Sequence, residues 1–567
     1  MSSFFADPAA YPYTPEKLRM GLSQSTGKRV GITLERHALT IAGSGAGKGA
    51  TLLIPNAAQW PDNLLVVDPK GEVASATWIH RQGMGQAVHV LDPFKAAEVP
   101  SNMRATFNPL AAIDPEGITA REDIEAIADG LVTRSDPKHE EWYAGAVSLL
   151  AGLMAYAIET APPALRSFTG VRTLLLQPND ALYATAQAMT ESTAFGGLAR
   201  EAGIILMTAC ESQKGMEKDF LGAARRYTKW LDSAPIAKCL ASSSFDLADL
   251  KASPMSVFLV LPPQYLQTHA AFLRLFVRTA MEAMMQDGAK VDRRCLFMLD
   301  EFASLGRLDA VSKGMGLMRG YGLHLWPFLQ DLGQLQSLYG REVAETFFGN
   351  ADAAIFFGNT DPLTLRYVSQ RIGAFRPDEV QDAPPRKRTY AGWRDGWRGG
   401  ADKGRERLAV AHDNAKLAYD HAMRVAGRPR LAPDEVARVV GKSAGDKVAR
   451  SAIVFAAGGE VLNLAIDPYF DRELPYEQSV RARVWMNKVR EGNDRWMRFW
   501  ASKHMFWFWP LVVVGHFWWT GRGFPPLSLL AVASAFAIPF TLIARLLISP
   551  LLRAFDTFWH RLWNNRV

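Results

Sequence analysis

The sequence predicts an α/β fold: a parallel sheet interrupted by an all-α insertion and followed by a C-terminal transmembrane helical hairpin. Three observations predict it. Runs rich in leucine and β-branched residues, NLLVVD (63–68), AVHVLD (87–92) and CLFMLDE (295–301), end in carboxylates and alternate with stretches at helical spacing. From about 114 to 235 the β-branched residues thin out and apolar side chains recur at a period near 3.6. Beyond 505, two strongly apolar stretches are joined by the short turn GRGFPP.

Each element follows in order. RVGITLERHALTIA (29–42) reads as two short strands, with glycine-rich sequence and then a helix over 50–60. The runs 63–68 and 87–92 are further strands, and residues 1–114 make the first part of the α/β domain. Helical spacing over 121–133, 141–159 and 181–231 defines the all-α insertion, 115–240. The α/β pattern resumes over 241–374: strands SVFLVLPP (256–263), CLFMLDEF (295–302), HLWPFLQD (324–331) and AAIFFGNT (353–360), with a helix over 268–287.

Residues 375–430 form a basic and aromatic linker. There Arg386, Lys387, Arg388, Arg394, Arg398, Lys403, Arg405 and Arg407 interleave with Tyr390, Trp393 and Trp397. This composition suits a phosphate backbone and stacked bases, and equally a solvated linker or lipid head groups. Residues 431–475 close the domain, with a hairpin in 453–466.

A basic juxtamembrane segment, 476–504, then leads into the hairpin and tail, 505–567. The stretch 527–548 is long enough to cross a hydrocarbon core of about 30 Å. Lys488, Arg490, Arg495, Arg498 and Lys503 precede the pair, Arg545, Arg553, Arg561 and Arg566 lie at its far end, and the turn holds only Arg522. The positive-inside rule puts both ends in the cytoplasm.

Composition sets the outer limits. At about 150 residues per domain, 567 residues predict three to four domains. A hydrophobic share of 48% with 21% charged residues excludes a mostly disordered chain. The net charge of +7 and the pI near 9.1 permit a polyanionic or membrane partner without requiring one. Cys210, Cys239 and Cys295 form no C-x-x-C pair, which argues against a disulfide framework or zinc ribbon and for a reducing compartment. Residues 1–13 lack a basic start followed by an apolar run, so no cleaved signal peptide is expected.

The chemistry concentrates in a few strings. Ala42-Gly43-Ser44-Gly45-Ala46-Gly47-Lys48-Gly49-Ala50 sits between a strand and a helix. Small residues there let backbone N–H groups wrap phosphates, the helix N-terminus adds positive potential, and Lys48 reaches the β/γ-phosphates. Two positions depart from the usual P-loop pattern. Ala42 replaces the first glycine, and Gly49 stands where a hydroxyl would hold Mg²⁺.

The run ending in Asp300-Glu301 has the form of a Walker B element. Asp300 would hold Mg²⁺ through water, and Glu301 would polarise the attacking water. Gln330, at a strand end, would orient that water or sense the γ-phosphate. Arg319 would reach a neighbouring subunit's nucleotide, with Arg366 and Arg371 weaker candidates. Asp68 and Lys70, in DPKGE (68–72), follow a strand on the same sheet edge and would touch nucleotide or transmit its state.

These strings, with FNPL (107–110), SFDLADLKASPMSVFLVLPP (244–263), FMLDEFASLGRL and YGLHLWPFLQDLGQL, resemble the type IV secretion coupling proteins, the conjugation ATPases of the TraG/TraD type. The resemblance runs over about 30–373 and resumes near RPRLAPDEV (428–436). It implies a membrane-anchored RecA-like motor with an inserted all-α domain, working as a hexamer on the bacterial inner membrane with its motor in the cytoplasm. It also implies ATP and Mg²⁺ as cofactors, Lys48, Asp300, Glu301 and Gln330 as motif residues, and a relaxase-bound single DNA strand as the usual substrate. The partners would be the channel components of a type IV secretion system. Two other readings remain: a coupling ATPase for protein effectors, and a receptor that binds nucleotide without hydrolysing it. Members usually carry their membrane helices before the P-loop. The candidate hairpin here follows the motor.

Overall fold

The computed structural model describes residues 4–132, 139–162, 166–212, 214–286, 293–375, 413–421, 426–443 and 445–470. The hairpin, the juxtamembrane segment 476–504 and residues 376–412 and 422–425 of the basic linker lie outside these residues.

The described chain builds one eleven-stranded sheet. Its strands are β1 (Lys17–Ser23), β2 (Arg29–Thr33), β3 (His37–Ala42), β4 (Asn63–Val67), β5 (Ala87–Leu91), β6 (Met255–Leu259), β7 (Cys295–Leu299), β8 (Leu323–Leu329), β9 (Ala351–Phe357), β10 (Ser451–Ala456) and β11 (Val461–Ala465). Their order is β2-β1-β11-β10-β9-β3-β8-β7-β4-β6-β5. From β9 to β5 all neighbours are parallel. The other edge is antiparallel. Every residue of β3, β4, β6, β7, β8 and β9 is buried, which explains their near-continuous apolar runs.

Two sequence expectations change. β1 carries Lys17 and Arg19 and does not read as a strand. Arg19 is tolerated because Asp467 pairs with it in the interior. The runs expected to end at 263, 302, 331 and 360 stop as strands at Leu259, Leu299, Leu329 and Phe357. Apolar residues beyond those ends, such as Val260, Leu261 and Phe302, are buried in the core outside the strands and mimic a longer strand.

Between β5 and β6 lies a helical region running from Ala120–Leu131 to Ala234–Cys239. The stretch 181–231 is several helices rather than one. Phe195, Gly196 and Gly197 have left-handed dihedrals that break the run. The helix Glu140–Thr160 is long and apolar enough to cross a membrane, but most of it is buried against its helical neighbours. Gly152 permits that packing, since a Cβ there would run into Ala202.

His37 opens the P-loop strand and is fully buried. Its Nδ1 accepts from the Leu325 N–H at 3.0 Å, so Nε2 donates to the Met315 carbonyl at 2.7 Å. Burial drives its pKa down from 6.5 to about 4, and His324 adds to the drop despite Asp352. A depressed folded pKa means stability that is whole above the unfolded pKa and is lost as pH falls through 6.5 toward 4. The loss approaches about 1.4 kcal/mol per pH unit in that window. Urea midpoints measured from pH 7 to 4 should fall, and His37→Gln should flatten that slope.

Candidate functional site

The sheet order sets the site. β8 lies between β3 and β7, so the P-loop, Gln330 and Asp300-Glu301 leave three adjacent strands at their C-terminal ends. Ligands bind at this edge of open parallel sheets.

There the side chains converge. Lys48 Nζ lies 3.6 Å from Glu301 Oε1, an ion pair too long for a hydrogen bond. Gln330 Nε2 donates to Glu301 Oε2 at 3.1 Å. Glu301 has left-handed dihedrals, φ 48° and ψ 44°, uncommon for a residue with a Cβ. Such conformations persist where the surroundings enforce them, and they cluster at functional sites.

Two buried polar atoms here, Lys48 Nζ and Asp300 Oδ1, lack a hydrogen-bond partner. Burying such groups unpaired is costly, which points to ligand atoms as their partners. Burial pushes Asp300 up to about 6, with Glu301 adding to the rise and Lys48 opposing it. Burial also pushes Asp68 up to about 7, and Asp300 contributes. A cation beside these carboxyls reverses that trend. Asp68 has a structural task as well: its Oδ2 accepts from the Ala74 N–H at 2.8 Å, near the start of the helix Glu72–Gly83. Lys70 is exposed on the same turn.

The P-loop itself spans 43–48. Gly45 and Gly47 have φ of +68° and +99°. Ser44 and Gly45 form its exposed tip, while Ala46 is buried. Gly49 and Ala50 begin a π-helical turn, Gly49–Leu53, that continues as the α-helix Ile54–Gln59. Thr51, two residues on, donates from its Oγ1 to the Gly47 carbonyl at 2.9 Å. A Cβ on Gly49 would lie 3.9 Å from Glu72 Oε2, so a carboxylate faces that position.

Arg319 lies elsewhere. It sits in the turn Met318–Tyr321 before β8, at the opposite ends of the strands, and its Nη2 donates to Glu35 Oε2 at 3.2 Å. The fold does not bring it to the P-loop of its own chain. Arg366 bonds its own helix at the Pro362 carbonyl, and Arg371 stacks over Phe348 and Phe455.

The sequence reading missed two neighbours, Gly358 and Asn359, just past β9. A Cβ on Gly43 would overlap the Gly358 carbonyl, and one on Gly358 would overlap Ala46. Asn359 is 1% exposed and donates to the Gln330 carbonyl at 3.3 Å. The signal available was a Gly-Asn pair ending an apolar run. Gly43→Ala should therefore push the loop off Gly358 and weaken nucleotide binding about tenfold, which titration of a fluorescent nucleotide would measure; overpacking of this kind costs about 1–3 kcal/mol.

A glycine loop closing onto a half-buried lysine, beside a strand-end aspartate, defines a nucleotide-binding P-loop NTPase fold. Comparison with known proteins then gives the family. The family model "Type IV secretory system Conjugative DNA transfer" matches residues 14–381, and the chain belongs to this family of type IV coupling proteins. It is 30% identical over 347 residues to the conjugal transfer protein TraG of Agrobacterium fabrum, covering 59% of this chain and 51% of that protein. It is 27% identical over 346 residues to the coupling protein VirD4 of Bartonella quintana, covering 59% and 53%. The chain thus spans about half the length of the curated relatives it matches. Among solved structures, the plasmid coupling protein TrwB with a non-hydrolysable ATP analogue aligns at TM-score 0.56 and 15% identity, over 82% of this chain and 96% of that one. TrwB with ADP and Mg²⁺ aligns at 0.55. These two likenesses concern the fold.

Proposed function

We propose that this chain is an ATPase that couples ATP hydrolysis to the recruitment and translocation of relaxase-bound single-stranded DNA into a type IV secretion channel during conjugation. The observation that carries the chemistry is the convergence of Lys48, Glu301 and Gln330 beside the partnerless Asp300 Oδ1. Family membership supports the substrate and the channel partners.

The residues fit a nucleotide with its metal. Among the described residues no cluster of three or more carboxylate, histidine or cysteine side chains is set for a metal alone. Mg²⁺ needs none here, since it keeps waters and takes one or two carboxylates plus phosphate oxygens. Bound at Asp300, it would supply charge neutralisation to the phosphates.

The chain's own groups do the rest. P-loop N–H groups and Lys48 bind and orient the phosphates. Glu301 accepts the proton of the attacking water, and Gln330 holds Glu301 in place through its amide. Arg319, facing away from its own site, is assigned to a neighbouring subunit's nucleotide in a hexamer. The C-terminal hairpin anchors the motor to the inner membrane as a multi-pass protein with its motor in the cytoplasm. The helices over 115–240 form the inserted domain, and the flanking α/β parts over 1–114, 241–374 and 431–475 form the motor.

The test is ATP turnover of the full chain in nanodiscs, with and without single-stranded DNA. Stimulation by DNA supports the proposal. Turnover that rises only with a protein substrate would replace DNA by an effector. Tight nucleotide binding without turnover under any condition would favour a receptor, which the glycine at position 49 supports.

A further inference from the structure

The outer face of the P-loop is covered by chain from far downstream. The Gly358 N–H donates to the Val440 carbonyl at 2.6 Å. Lys442 Nζ donates to the Gly45 carbonyl at 3.0 Å, across 397 residues. A Cβ on Gly47 would run into the side chain of Val448. The Ala449 N–H donates to the Ala46 carbonyl at 3.0 Å.

These contacts orient the loop's peptides. The C=O and N–H of a trans peptide point in opposite directions. Fixing the Ala46 carbonyl outward on Ala449 therefore aims the Gly47 N–H toward the inner side, where phosphates bind. The Ala46 N–H already donates to the Gly43 carbonyl, which closes the loop's tight turn. Lys442 acts on the same peptide unit from outside, at the exposed tip.

Lys442 is not held by an ion pair of its own. Among the described residues no carboxylate lies within ion-pair distance of Lys442. The nearby Asp446 is taken up by Arg450 at 2.8 Å. Lys442 is exposed, and its charge acts on the neighbouring Asp446 carboxyl, which it helps Arg450 to hold low.

We propose that Lys442 is a positioning residue for the nucleotide's phosphates, holding the P-loop tip in its binding shape from the outer face. This rests on the nucleotide reading above and extends the site to a segment that no motif marks. Lys442 touches the loop backbone and neither Glu301 nor Gln330, so the effect falls on affinity more than on the chemical step.

The test uses the full chain in nanodiscs with fluorescent ATP and ADP analogues and steady-state turnover. Lys442→Met should raise Kd and KM about tenfold, leave kcat within twofold and leave the thermal midpoint in place, and Lys442→Arg should restore affinity. Unchanged Kd in Lys442→Met, beside normal wild-type binding, overturns the proposal. Equal loss in the Met and Arg variants together with a lowered thermal midpoint also overturns it, since the lysine would then serve only packing. Failure of the wild-type chain to bind either nucleotide overturns the site reading and this inference together. The Lys48→Ala variant, run in parallel, separates the two outcomes.

Discussion

Lys48→Ala is expected to lower ATP turnover by about 100-fold or more while the protein stays folded. In the proposed mechanism the lysine meets charge developing on the transferred phosphoryl, and losing one preorganised donor of this kind costs about 10²–10³ in rate. Stability should change little. The 3.6 Å contact with Glu301 is long, and Glu301 keeps its Gln330 donor. One side effect has a definite sign. Lys48 now opposes the upward shift of Asp300. Without it that carboxyl should rise above about 6, and Mg²⁺ dependence should move to higher pH. Turnover at saturating ATP, with circular dichroism to confirm folding, checks the first point. Full turnover in the variant would remove Lys48 from the site.

Glu301→Gln should abolish turnover and spare binding. A positioned general base contributes about 10²–10⁴-fold to such reactions. Glutamine keeps the shape and still accepts from Gln330, so the left-handed turn after β7 should survive. It cannot take a proton. The expected signature is a nucleotide Kd near that of the wild type with turnover at background, read by fluorescent nucleotide titration beside phosphate release. Near-normal turnover would place the base elsewhere. Glu72, which faces Gly49, is the next carboxylate to examine.

Much of this site was legible in the residues because its parts are local. A loop of small residues between a strand and a helix states its own geometry. A buried strand followed by Asp-Glu does the same. Most of the family strings fall, for the same reason, within residues 14–381 of this chain, which the family model matches. Other parts were not legible. β1 hid behind a lysine and an arginine, and Arg19 is explained only by Asp467, which lies 448 residues away. Strand ends were overrun because buried loop residues look like strand.

The amino-acid sequence by itself marked the residues to which the chemistry is assigned in the proposal: Lys48, Asp300, Glu301 and Gln330, each announced by the element that carries it. Tertiary structure decided which of them meet. Inserting β8 between β3 and β7 puts Gln330 beside Glu301, and it sends Arg319 to the far edge with Glu35. It also lays Lys442 and Ala449 on the P-loop's outer face. The physical reason is range. Strand and loop conformations follow from neighbours a few residues apart, whereas strand order depends on contacts between segments hundreds of residues apart, which no local pattern records.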